Sequence, residues 1–399
     1  MPYHHGTETK KVDGGSNPIY TVDGAVIGIV GTAPTGPVNE LTVCRTMKDF
    51  AQFGDASKDE SDGFTLPAAF EILSRYKAGT FYVINVYDPQ NHNSPSDVSA
   101  DDVKGGYDIA TNKRRGMELL KEGFNRFGTD AKILIAPQLD ADKTIAAELE
   151  VFADNLKAIA YIDAPVGTKL AEAITGRGPE GTINFNTSNP RVRHFFPHVK
   201  NGDTLESLAT HAAGLRMKVD VEKGYWWSTS NQNLLGVTDT ELRLTARIDD
   251  YQSETNALNA VGITTVFNSF GTGFRLWGNR SACFPAVTHI KNFETAMRTG
   301  DLIDESIRRF ELQYVDRPID DALIDSLVES IDTYLRTLQS IVGYSVQLDP
   351  DYGATELVDF FSKGQIPLMY DYTPKIPAER ITNKSVMTRK YLVNLVSSS

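Results

Sequence analysis

Over the first two thirds of the chain, compact runs of β-branched and aromatic residues alternate with segments whose apolar positions repeat every three to four residues. Residues 25–30, 41–44, 81–87, 133–136 and 158–162 read as strands, each bounded by Gly, Pro, Asn or Asp. Between them, 46–53, 66–76, 117–127 and 142–157 read as helices. Residues 88–107, rich in Asp, Ser and Pro, read as a surface loop. A strand over 192–196 and a helix over 205–217 continue the series. Strand–helix–strand repetition predicts an α/β domain with a mostly parallel sheet.

The last third has a different rhythm. Two helices are expected at 293–298 and 302–314, with Ile303, Ile307, Phe310 and Tyr314 on one face of the second. The clearest helix spans 322–341. Leu323, Leu327, Ile331, Leu335 and Leu338 line its apolar face, while Asp325, Glu329, Asp332 and Arg336 point away, and Asp320 and Asp321 suit its N-terminus. Strands follow at 344–348 and 366–372, then an extended linker at 375–378, and a final strand over 385–396. At the other end, 7–12 reads as a strand cut off by Gly14, Gly15, Asn17 and Pro18. The expected organisation is an arm (1–22), an α/β domain (23–265), a second, α+β domain (266–374), and a linker with a terminal strand (375–399).

Charge narrows the function. The net charge of −12 argues against a direct nucleic-acid binder. Residues 375–399 hold five basic residues and one acid, so a basic tail follows an acidic body and suits docking on a neighbour. No run of eighteen apolar residues predicts insertion in a membrane, and the first residues lack the apolar core of a signal peptide. Cys44 and Cys283 read as small core residues.

Catalytic motifs are weak. The glycine-rich turn after 25–30 lacks a Gly-Lys-Ser/Thr, and Pro34 and Pro37 stand where a phosphate-binding helix would begin. His194 and His198 are four apart, but Pro197 prevents the helix that would put them on one face. Asp163 follows a strand and reads as a turn cap. No metal or cofactor site is expected.

The most specific segment is 256–280, NALNAVGITTVFNSFGTGFRLWGNR. Together with KGYWWSTSNQNLLGV at 223–237 and AVIGIVGTAPTGPVNE at 25–40, it resembles the contractile tail sheath proteins of myophages and R-type pyocins. The signature residues are Trp226, Trp227, Arg275, Leu276, Trp277, Gly278, Asn279 and Arg280. The resemblance implies a mechanical subunit and not an enzyme, with no cofactor. It implies an outer α/β domain and an inner domain facing a tube. Copies would stack as six-membered rings around the inner tail tube and shorten to drive it through a target envelope. The arms would add strands to neighbouring copies through Thr7, Thr9, Lys11 and Val12 at one end. At the other end, Val386, Thr388, Arg389, Tyr391, Val393 and Leu395 would do so. The candidate tube-facing residues are Arg308, Arg309, Asp325, Glu329, Asp332 and Arg336. Implied partners are other copies, the tube protein, and baseplate and tail terminator proteins. Assembly is expected in the host bacterial cytoplasm, with release in a particle by lysis. The competing readings are an α/β enzyme binding a nucleotide or sugar, and a shell protein that polymerises without contracting.

Overall fold

The computed structural model describes residues 19–21, 24–57, 63–77, 79–268 and 271–392. β1 (Val26–Gly31) is buried along its whole length. It is followed by β2 (Thr42–Cys44), α1 (Met47–Phe50), α2 (Thr65–Ser74) and β3 (Thr80–Asn85). Within the expected loop at 88–107 lies a short helix, α3 (Ala100–Lys104), which Ser99 caps by accepting from the Asp102 N–H. β4 (Gly106–Asp108) and β5 (Lys113–Arg115) make a small antiparallel hairpin. The helix expected over 117–127 is divided into a 3-10 segment at Gly116–Glu122 and α4 (Gly123–Phe127). β6 (Ile133–Ile135), α5 (Lys143–Leu156), β7 (Ile159–Asp163), α6 (Leu170–Thr175) and β8 (Val192–Phe195) complete the alternation.

The segment 205–217, expected as one helix, is split. β9 (Val199–Asn201) and β10 (Thr204–Glu206) pair as a hairpin, which β11 (Asp239–Thr240) extends. α7 (Leu208–Lys223) starts only at Ser207, whose hydroxyl accepts from the Thr210 N–H. α8 (Glu254–Ala260) leads into β12 (Ile263–Asn268) and β13 (Phe274–Trp277).

The large sheet has the order β13-β12-β8-β7-β6-β1-β3-β2. Its six central strands are parallel, and β2 and β13 are antiparallel at the edges. Alternation within each strand sends side chains to two separate cores. Ile27, Ile29, Ile133 and Phe195 face α2 and α7; Val26, Val30, Leu134 and Val192 face α5. The boundary expected between 265 and 266 falls inside β12, and the large sheet extends to Trp277.

A second packing unit follows. The two helices expected at 293–298 and 302–314 are one, α9 (Glu294–Glu311). Gly300 does not break it. A Cβ there would lie 2.8 Å from the Tyr372 hydroxyl, so the glycine admits a close neighbour. α10 (Asp321–Thr337) ends four residues earlier than expected because Ile341 opens β14 (Ile341–Leu348). α11 (Ala354–Ser362), which sequence periodicity did not suggest, connects β14 to β15 (Leu368–Pro374). β14 and β15 form a two-stranded antiparallel sheet with Tyr344 opposite Tyr372 and Leu348 opposite Leu368. One face of it packs on Ile303, Ile307, Ile331 and Leu335 from α9 and α10.

Candidate assembly surfaces

The signature residues come together at one edge of the large sheet. Leu276 is fully buried, and Trp277 stacks on Phe267 with ring centroids 4.5 Å apart. The edge of β13 is covered by the KGYWWSTSNQN segment. The Asn231 N–H donates to the Leu276 carbonyl at 2.7 Å, and the Leu234 N–H to that of Phe274 at 2.9 Å. Arg275 donates to the Asn231 side chain at 2.9 Å, and Ser228 donates to Asn279. The two stretches that carry the resemblance are therefore one structure: an irregular strand covering a sheet edge. Gly278 has φ +137°, and a Cβ there would sit 3.0 Å from the Thr264 Cα, so a side chain would be strained and crowded.

Of the aromatic trio, Tyr225 bonds the Ser340 hydroxyl at 2.9 Å, at the root of β14, and meets Trp226 edge to face. Trp227 is half exposed, with Lys223 over its ring. The trio thus sits where the large sheet's body meets the second unit.

A buried charge network joins the same two bodies. Arg193 on β8 pairs with Glu294 at the start of α9, and Tyr161 donates to the same carboxylate. Burial pushes the Glu294 carboxyl upward, but Arg193, Arg216 and Arg298 together outweigh it and hold the group ionised below its ordinary range. Asp220 on α7 bridges Arg216 and Arg298.

The glycine-rich turn is closed to phosphate. Its Thr32 N–H donates to the Thr65 hydroxyl at 3.0 Å and its Ala33 N–H to the Asn85 side chain at 2.9 Å. Asp163, expected as a turn cap, is buried and caps α7 through the Ala209 N–H and the Ser207 hydroxyl. His194 lies on β8, stacked on Phe185. Among the described residues no three His, Cys, Asp or Glu side chains group as metal ligands, and no helix is long and apolar enough to cross a membrane. Cys44 and Cys283 are buried and unbridged.

Of the predicted arm residues, Thr7, Thr9, Lys11, Val12, Val393 and Leu395 lie outside the described residues. The chain is picked up at Ile19, which packs between the α9–α10 pair and β15, and at Thr21, whose hydroxyl is 3.2 Å from that of Tyr334. At the other end, the strand expected over 385–396 is not formed in its described part. Residues 381–388 have no regular structure, and Lys390–Leu392 is a 3-10 turn. Val386, Met387 and Tyr391 are exposed, as are Thr388 and Arg389. A strand exists through its ladder, and among the described residues this segment has no ladder partner.

Of the tube-facing candidates, Arg309 is engaged internally with Glu305, the Gly128 carbonyl and the Phe124 ring. Arg308, Asp325 and Glu329 are exposed, and Asp332 pairs with Arg336 along α10.

The architecture, a largely parallel sheet followed by a helical pair under a two-stranded sheet, is that of sheath subunits from contractile injection systems. The contracted sheath of the PVC extracellular contractile injection system shares it with a TM-score of 0.69, at 14% identity over 98% of this chain and 99% of that one. The contracted helical sheath of the anti-feeding prophage gives 0.68, at 18% identity over 96% and 99%. Residues 112–282 match the family model of the phage tail sheath protein central domain. The tail sheath protein of Burkholderia phage BcepMu is 41% identical over 98% of each chain, and that of Escherichia phage P2 is 26% identical over 99% of this chain and 98% of that one. The chain belongs to the phage tail sheath protein family.

Proposed function

We propose that the chain polymerises as stacked hexameric rings around an inner tube, and that the stack contracts to drive the tube through a target envelope. Similarity along the full length to the BcepMu tail sheath protein carries this reading. The large sheet's body would face outward and the α9–α10 unit would face the tube. The terminal arms would leave their own subunit. The two-stranded β14–β15 sheet supports this, because among the described residues neither strand has a second neighbour. Each free edge is a template for an added strand. Residues 385–392, exposed and without strand structure in the subunit alone, would supply the described part of the added strand. About six added ladder bonds at ~1 kcal/mol each contribute roughly 6 kcal/mol before ordering costs, a joint that gains strength by repetition. Open head-to-tail contacts of this kind build helical stacks.

The extended stack would be a kinetic trap, released by rigid-body movement of subunits on their arms with no fuel site. For the tube we propose Arg308 with the polar row of α10, Asp325, Glu329, Asp332 and Arg336. The ends of the stack would meet baseplate and terminator proteins. Assembly would take place in the host cytoplasm, in a phage tail or a related particle.

Electron microscopy of the purified chain tests the proposal: open tubes are expected. A chain lacking residues 385–399 is expected to fold as a monomer and form none. Tubes of ordinary yield from the shortened chain would overturn the role of the arm.

A further inference from the structure

Arg280 closes the signature, yet its side chain does not serve the sheet edge. Its guanidinium is sandwiched between two rings, 3.7 Å from the Phe293 centroid and 4.6 Å from that of Phe284. Nη1 donates to the Asn292 side-chain oxygen at 2.6 Å. Backbone pairing of Arg280 with Phe293 fixes the root of the side chain. The remaining edge of the fork is taken by one carboxylate, that of Glu379, ninety-nine residues later. Nε donates to its two oxygens at 3.1 and 2.9 Å, and Nη2 donates to it as well. A guanidinium held flat by stacking and by a neighbouring amide is a preformed receptor for a carboxylate.

The contacts around this pair end abruptly. The Lys375 N–H donates to the Ser340 carbonyl at 2.9 Å. Arg380 lies over the Tyr251 ring at 5.3 Å and donates to its hydroxyl at 3.2 Å. Ile381 is 80% exposed, and residues from there to 392 remain on the outside. Beside the linker, an open groove of ≈ 860 Å³ runs between Trp226, Tyr251, Trp277 and Ile376. Close packing therefore does not hold the linker in place, and polar contacts do.

We infer that Arg280 is a carboxylate socket that clips the root of the C-terminal strap to its own subunit through Glu379, so that the free strap begins at Ile381. The clip fixes the strap's reach. Twelve residues, 381–392, span at most about 40 Å when extended, and releasing 375–380 would add about 20 Å. Only the use of the strap between subunits rests on the proposed function; the clip itself stands on this chain's geometry.

Trypsin tests it on the freshly purified full-length chain, taken from the fraction that size exclusion shows to be monomeric, with cleavage read by mass spectrometry. Lys384, Arg389 and Lys390 lie on the free strap and serve as the internal reference; Lys375 and Arg380 lie in the clipped root. The root sites are expected to be cut at least tenfold more slowly than the strap sites. In Glu379→Gln, a surface change that spares the fold, and in Arg280→Lys, which leaves the cleaved segment unaltered, the Lys375 site is expected within about threefold of the strap sites. Equal rates in the unaltered chain, or a root still protected in Glu379→Gln, overturn the clip. Tubes from the chain lacking 385–399 would instead count against the arm and leave the clip standing.

Discussion

Glu294, the first residue of α9, is the ion-pair partner of Arg193 in the middle of β8, and both side chains are buried. The pair is one of several polar links between the large sheet and the helical unit, beside Arg298–Asp220 and Arg191–Asp301. Glu294→Ala leaves the Arg193 charge buried without its partner. A loss of about 3–5 kcal/mol is expected in urea unfolding of the monomer. The double change Arg193→Met with Glu294→Leu should recover most of that loss, since removing both charges removes the desolvation cost as well.

Glu206 predicts an acid-side dependence. Burial pushes its carboxyl up, but bonds from His211 and Arg75 outweigh this and bring it down to about 2. A depressed acid contributes stability that is present above its unfolded value and lost as pH falls through the folded one. Glu206→Gln should therefore cost roughly 2 kcal/mol at pH 7, a figure reduced for the partial solvation of Arg75. Thermal melts should show the two proteins converging between pH 4.5 and pH 2.

Asp140 predicts the opposite slope. Full burial, then the nearby Asp163 charge, raise its carboxyl well above the ordinary range. A raised acid favours the folded state below its unfolded value, and that benefit is lost as pH rises through the folded one. Asp140→Asn keeps an oxygen for the Asp163 N–H, which donates to Asp140 at 2.7 Å. The variant should melt higher than the unaltered chain at pH 8 and no higher at pH 4.

Gly278 predicts a local cost. With φ +137° and the Thr264 backbone 3.0 Å from a modest side chain, Gly278→Ala should lose about 1–3 kcal/mol, measured as a lower urea midpoint. A neutral result would mean that the turn after β13 relaxes freely.

Most strands of the parallel sheet were legible because they are short apolar runs between breakers, and burial on both faces needs no further information. α10 was legible because its apolar face repeats at helical spacing. α9 was read as two helices because Gly300 looks like a break until Tyr372 is seen against it. α11 was missed because none of its residues is buried within the chain, so its apolar positions mark no core face. Residues 385–396 carry a strand's alternation, yet the described part is not a strand, because the ladder requires a partner that no described residue supplies.

By itself the sequence determined the α/β alternation and the signature that points to the family, since these depend on residue types at short spacing. Tertiary structure alone decided the antiparallel edges of the sheet, the burial of Glu294 against Arg193, and the seating of Glu379 on Arg280. Each of these joins groups about a hundred residues apart or sets a direction of pairing. Local composition carries no record of either, because only the folded backbone brings such groups within reach.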